Sequence, residues 1–262
     1  MQKVSKQLPN FLSKLILGVF LITSVYMLPA STMVGIARAQ AASSVKTVTI
    51  AAGTIYATPL YIIDSGVPGP VVMVVGGVHG NETAGYKAAD KVKDFNIKKG
   101  TLLVLPQANK RADAAHTRTV GGYDLNRSFP STKSGQASGT LAKAILSTMK
   151  GYNVEWVMDM HEGVNYSRSS SSDGQSVIYY PNSQTKTIAS SIVSTLNKQI
   201  SGTSKDYELL QYPVKGSLAR AAAVACGAHS FIFETCSKDP LSTRIDRQLT
   251  AANMLLSYLN MK

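Results

Sequence analysis

Among 262 residues only two are cysteine, four are histidine and 15 are acidic, against 27 lysines and arginines. Cys226 and Cys236 allow one disulfide at most. They bracket the strand expected at Phe231–Glu234, and a bridge or a pair of buried free thiols are equally open. The shortage of acid leaves a formal charge of +12. That charge forms no basic stripe interleaved with aromatics, which excludes nucleic acid as a partner. It suits an anionic envelope and bears on adhesion and solubility, not on chemistry. Beyond residue 40 no run is long and apolar enough to span a bilayer. Internal repeats and interdomain linkers are also missing.

The long apolar run that does exist is at the start. Lys3, Lys6 and Lys14 precede Leu15–Leu28, and Ala37-Arg38-Ala39 then puts small residues at the two positions a signal peptidase reads. This predicts a signal peptide over 1–39. An uncleaved membrane anchor is the alternative, because the run stretches to about 17 residues. Contact with a membrane follows only from the anchor. Either way the working part faces outward, secreted or held in the cell envelope. Without Lys3, Lys6, Lys14 and Arg38 the charge of +12 becomes +8. Residues 40–262 suffice for one α/β domain with a full core.

Val71–Val75 is an unbroken apolar run, as in a strand buried on both faces. Gly76 and Gly77 end it, and helical spacing follows from Thr83 to Val92. Thr101–Leu105, stopped by Pro106, completes a βαβ unit and argues for a parallel sheet. Further strands are expected at 43–50, 59–64, 154–160, 177–180, 207–212 and 230–234. Helices are expected at 140–150, 183–200, 217–226 and 243–259. Residues 107–140 show no period and read as a binding loop, since long loops in compact domains are usually functional or disordered. The serine-rich stretch 165–176 reads as a mobile loop.

His79 is expected on the loop leaving the first buried strand and Glu82 in the first turn of the next helix. His161 leaves a second strand behind Asp159, and Glu234 ends a third. The carboxyl edge of an open α/β sheet is where ligands collect. Two imidazoles and a carboxylate there suffice for a catalytic zinc, which keeps a fourth position open. His116 and His229 receive no role.

The order His79-x-x-Glu82, then Asp124-Leu125-Asn126-Arg127, then a strand-end histidine in Asp159-Met160-His161-Glu162-Gly163, then strand-end Glu234, resembles the zinc carboxypeptidase-like hydrolases. The wording is most similar to their succinylglutamate desuccinylase/aspartoacylase branch, from about Val71 to Thr235. The resemblance implies a single α/β domain with a mixed, mostly parallel sheet and helices on both faces. It implies one zinc per chain on His79, Glu82 and His161, with Glu234 as general base. Asn126 and Arg127 match the pair that holds a substrate carboxylate, a task suited to the guanidinium fork. Arg118 matches the arginine that stabilises the oxyanion, with Arg111 as its competitor. Asp124 matches a carboxylate behind a zinc histidine, and Asp159 serves His161 in the same way. Tyr212 lies where carboxypeptidases carry a mobile substrate-binding tyrosine.

Only 28 residues follow Glu234, so the β-rich second domain usual in that branch is not expected. The implied activity is hydrolysis of an amide bond in a carboxylate-bearing substrate, as a deacylase or a carboxypeptidase. N-acyl amino acids, small peptides and peptidoglycan stem peptides are the substrate classes. A non-catalytic module binding carboxylates or cell wall on the same fold is the alternative from another class.

Overall fold

The computed structural model describes residues 44–169 and 172–262. The expected signal segment therefore lies outside the described residues. In chain order the elements are β1 (Ser44–Ile50), β2 (Thr58–Asp64), β3 (Val71–Val75), α1 (Thr83–Val92), β4 (Thr101–Leu105), α2 (Lys110–Ala115) and α3 (Thr140–Gly151). There follow β5 (Trp156–Gly163), β6 (Ser176–Tyr179), α4 (Ser183–Asn197), β7 (Glu208–Gln211), α5 (Leu218–Cys226), β8 (His229–Cys236) and α6 (Leu241–Tyr258).

The eight strands among the described residues join one sheet in the order β1-β2-β4-β3-β5-β8-β6-β7. The central four, β4, β3, β5 and β8, run parallel. β1 and β2 add on antiparallel at one side. At the other side β6 is antiparallel to β8 and parallel to β7. The expected mixed, mostly parallel sheet is what forms. The composition of each strand explains its place. β5 is buried along its whole length, whereas β1 and β7 are largely exposed and form the edges.

Alternation along the strands sends side chains to two cores. Val72, Val74, Met158, Phe231 and Phe233 pack under α1, α4 and α6. Met73, Val75, Leu103 and Val157 pack under α3 and α5. Burying each such side chain contributes ~1.5–3 kcal/mol, so the two cores dominate the stability. Side chains of Asn109, Asn182 and Ser217 cap α2, α4 and α5 by accepting a backbone N–H in the first turn. Among the described residues no helix is long and apolar enough to cross a membrane.

Two expectations are corrected, and one question left open by the sequence is decided. The stretch 107–140 is not devoid of structure: it holds α2 and a 3₁₀ turn at Leu125–Arg127. Both are too short to display a sequence period. The strand expected to stop at Met160 runs on to Gly163, because β8 pairs with it through Cys236. Cys226 and Cys236 are both free thiols, the second fully buried.

Candidate active site

β3, β5 and β8 bring their carboxyl ends side by side, and the segment between β4 and α3 folds over them. Gly77 takes a φ of +68°, and a Cβ there would lie 2.6 Å from an Asp113 carboxylate oxygen. A Cβ on Gly80 would lie 1.9 Å from the Ala112 carbonyl carbon. Glycine at these positions lets the loop turn back and lie flush on α2, which fixes where His79 emerges. Asn109 N–H donates to the Gly77 carbonyl at 2.7 Å and ties the two segments together.

Glu82 occupies the N-cap position of α1, not its first turn, and its side chain makes no capping bond. Glu162, from the neighbouring β5, does that work instead: its Oε2 accepts the Ala84 N–H at 3.0 Å. Arg244 of α6 ion-pairs with the other oxygen of Glu162. Glu82 is thereby free to face inward. Its Oε1 lies 2.7 Å from His79 Nδ1 and its Oε2 lies 2.7 Å from His161 Nδ1. Each imidazole has a carboxylate at its back. His79 Nε2 meets Asp124 Oδ1 at 3.1 Å. His161 Nε2 lies 3.0 Å from Asp159 Oδ2, within ion-pair range, but out of line for a hydrogen bond, so the Asp159 oxygens remain unpartnered.

His161 stands opposite Glu234 in the β5–β8 register. One cavity of about 560 Å³ takes in His79, Glu82, His161, Glu234, Arg118, Asn126 and Arg127, with Glu162, Ser172 and Asp173 also on its lining. Arg118 reaches Glu82 Oε1 at 3.3 Å and Asp124 Oδ2 at 3.7 Å. Arg111 does not enter; it lies over the Tyr56 ring at 5.6 Å, beside a separate hollow. Asn126 is buried, and its Oδ1 accepts the Leu218 N–H at 3.0 Å, leaving its amide hydrogens for the cavity. Arg127 donates to the Asn126 carbonyl at 2.9 Å.

Tyr212 is not among the lining residues. It is exposed, holds a φ of +61°, and packs edge-on to Tyr180 at 6.0 Å with Arg220 alongside. His116 ends α2 in the left-handed region, and His229 stacks on Trp156 at 4.3 Å.

Burial and charge set the protonation of this cluster. Burial alone would raise Glu82, but the two imidazoles bring its carboxyl well below the usual carboxylate range. Burial disfavours a charged His161, yet Asp159 and Glu82 on its two sides raise it well above the ordinary imidazole value. Glu234 is pushed up to about 8, first by burial and then, against the pull of His161, by the charges of Glu82, Asp173 and Asp159. Asp113, behind the His79 loop, is buried with both oxygens unpartnered, and burial with the nearby Glu82 pushes it up to about 8.

The donor set fits a zinc ion. One ligand atom each from His79, Glu82 and His161 lie within 4.8 Å of one another, all three residues are buried, and imidazole with carboxylate is a zinc combination. Sequence reasoning missed Glu162, which stands inside a quoted motif, and Arg244, whose helical context gives no signal of a partner 82 positions away. It also missed Asp113 and Asp173, which sit in stretches read only as loops.

The profile of the family described as the succinylglutamate desuccinylase/aspartoacylase catalytic domain matches residues 68–258. An N-alpha-acetyl-L-2,4-diaminobutyric acid deacetylase from Halomonas elongata is 29% identical over 110 residues, 40% of this chain and 32% of that protein. The mDAP-bound form of Helicobacter pylori Csd4, a D,L-carboxypeptidase, superposes with a TM-score of 0.63 at 19% identity, over 74% of this chain and 52% of its own. A succinylglutamate desuccinylase from a Silicibacter species gives a TM-score of 0.60 at 16% identity, over 84% and 68%. The chain thus spans about a third of the deacetylase and about half of Csd4.

Proposed function

Because the chain belongs to the succinylglutamate desuccinylase/aspartoacylase catalytic-domain family, we propose that it is a zinc-dependent hydrolase. It acts outside the cell and cleaves an amide bond in a substrate that carries a free carboxylate. The support is the convergence of His79, Glu82 and His161 in one cavity with Glu234, Arg118, Asn126 and Arg127.

His79, Glu82 and His161 hold the ion, and Asp124 and Asp159 orient the two imidazoles from behind. When bound, zinc supplies Lewis acidity toward the scissile carbonyl and toward water. The remaining work belongs to the protein. The Asn126 amide and the Arg127 guanidinium grip the substrate carboxylate and so fix where the amide bond lies. A carboxylate oxygen of Glu234 takes a proton from the attacking water and delivers it to the leaving nitrogen. Arg118 donates to the carbonyl oxygen as negative charge builds there.

Export rests on the basic start, the apolar run and Ala37-Arg38-Ala39; the mature chain should then begin at Gln40. Sequencing the amino terminus of protein recovered from the medium or envelope tests this. The activity is tested by metal analysis together with incubation against N-acyl amino acids and purified peptidoglycan stem peptides. The named deacetylase relative makes N-acetyl amino acids the first panel. Release of the amine from N-acyl amino acids identifies a deacylase, and release of a carboxyl-terminal residue from stem peptides identifies a carboxypeptidase. Tight binding of carboxylates with no release from any of them would replace the enzyme with a binding module.

A further inference from the structure

The layer between the sheet and α6 is apolar until its last row. Phe231 and Phe233 of β8 and Met158 and Met160 of β5 share one apolar cluster there with Ala252 and Leu255. Two positions further along each strand, the same face carries Glu162 and Thr235, which stand opposite each other in the β5–β8 register. His161 and Glu234, one residue earlier, project from the other face. α6 meets the polar row with Arg244 and Gln248, one turn apart and so on one side of the helix.

Gln248 is fully buried. Its Nε2 donates to the His161 carbonyl at 2.8 Å, and it also lies 3.3 Å from Thr235 Oγ1 and 3.4 Å from the Phe233 carbonyl. Two carbonyls on that side let only the amide nitrogen face the sheet. The amide Oε1 is buried with no partner, a cost that an apolar side chain in this layer would avoid. What the residue supplies is a donor at the His161 carbonyl.

That carbonyl and the Glu162 N–H belong to one planar peptide unit and point in opposite directions. The Glu162 N–H donates to Glu82 Oε2 at 3.2 Å, the same oxygen that meets His161 Nδ1. A grip on the carbonyl end therefore sets the tilt of the plane and the aim of the N–H at its other end. Arg244 fixes the same residue through its side chain, by the ion pair with Glu162. Glu82 is thus steered by α6, a helix that supplies none of the described lining residues of the cavity.

We propose that Gln248 is a positioning residue for the metal site: by holding the His161–Glu162 peptide it orients the Glu82 carboxylate for the ion. This rests on the zinc site of the hydrolase reading above.

The test begins with Gln248→Met, which keeps the length of the side chain and removes both donors. Zinc affinity is measured on the metal-free proteins by competition with a chelating dye. Turnover is measured on the zinc-loaded proteins, with the N-acyl amino acid or stem peptide that wild type cleaves. The variant should bind zinc at least about tenfold more weakly, the usual cost of losing a group behind a metal ligand. At saturating zinc kcat should fall and KM should stay, because Asn126 and Arg127 are untouched. Thr235→Val removes the hydroxyl that lies 3.5 Å from the same carbonyl. It should weaken zinc in the same direction, and it carries the test if Gln248→Met does not fold. Leu255→Ala opens a void in the same layer and controls for general loosening: it should lower the urea midpoint and leave zinc affinity at the wild-type value. Wild-type affinity in the folded variants at 248 and 235 overturns the proposal, and so does an equal loss in Leu255→Ala. Wild type that binds zinc but hydrolyses nothing would end the hydrolase reading, while the affinity ratio would still decide the role of Gln248. Wild type that binds no zinc would end both.

Discussion

Asp113 should make this protein lose stability as the pH rises, and replacing it should remove that loss. Its carboxylate is 3% exposed, neither oxygen has a partner, and it lies against the Gly77 turn. The native group titrates at about 8, whereas an unfolded aspartate titrates at about 3.9. Between these values the native state keeps a proton that the unfolded chain has released. Raising the pH therefore favours unfolding from about pH 4 upward, and the loss levels off above about pH 8. Four units at ~1.4 kcal/mol each set a ceiling of ~5.6 kcal/mol at alkaline pH. Asp113→Asn keeps the shape and the burial but cannot ionise. Urea unfolding of wild type and variant should thus agree within ~1 kcal/mol near pH 4.5. The variant should then gain steadily to a plateau above pH 8. Contributions from other titrating groups, Glu234 included, cancel in the difference between the two proteins. A difference that stays flat from pH 4.5 to 9 would refute the reasoning and mean that the Asp113 charge is solvated or paired in the native state.

Three further outcomes bear on the active site. His161→Ala should abolish most zinc binding while wild type holds one ion per chain; equal metal content by atomic spectroscopy in both proteins would remove His161 from the ligand set. Glu234→Gln should retain zinc and fold but lose turnover by at least about 10²–10⁴-fold, the usual contribution of a positioned acid–base group; unchanged hydrolysis would leave the reaction without its assigned base. Arg127→Lys should raise KM more than it lowers kcat, because a point charge replaces a two-pronged donor; a fall in kcat alone would move Arg127 from the substrate carboxylate to the oxyanion.

The sheet was legible because its central strands are buried on both faces and leave apolar runs with no alternation, as at Val71–Val75. His79, Glu82, His161 and Glu234 were legible because each ends or follows such a run. What escaped depends on contacts between distant segments. Nothing local tells that Glu162, and not Glu82, satisfies the first turn of α1, or that Arg244 holds it there. The choice between Arg111 and Arg118 needed the path of the chain after α2, which turns one toward Tyr56 and the other toward Glu82. Tyr212 misled for the complementary reason. Its distance along the chain from Glu234 suggested a reach into the cavity, but β7 lies at the sheet edge and delivers it onto Arg220.

The pairing of β5 with β8 has a consequence in time. While the chain is being made, β3 and β5 can join β4 and the strands before it, but the other side of β5 has no neighbour yet. The 65 residues from 164 to 228 must be added before β8 begins, which at roughly 5–20 residues per second takes about 3–13 s. Throughout that interval one of the most buried strands of the mature sheet is an open edge, apolar and unpaired, of the kind that recruits foreign strands. Under the export proposed above, this favours crossing the membrane unfolded and closing the sheet afterwards. It also makes a holding chaperone that masks Trp156–Met160 a natural companion of its biosynthesis.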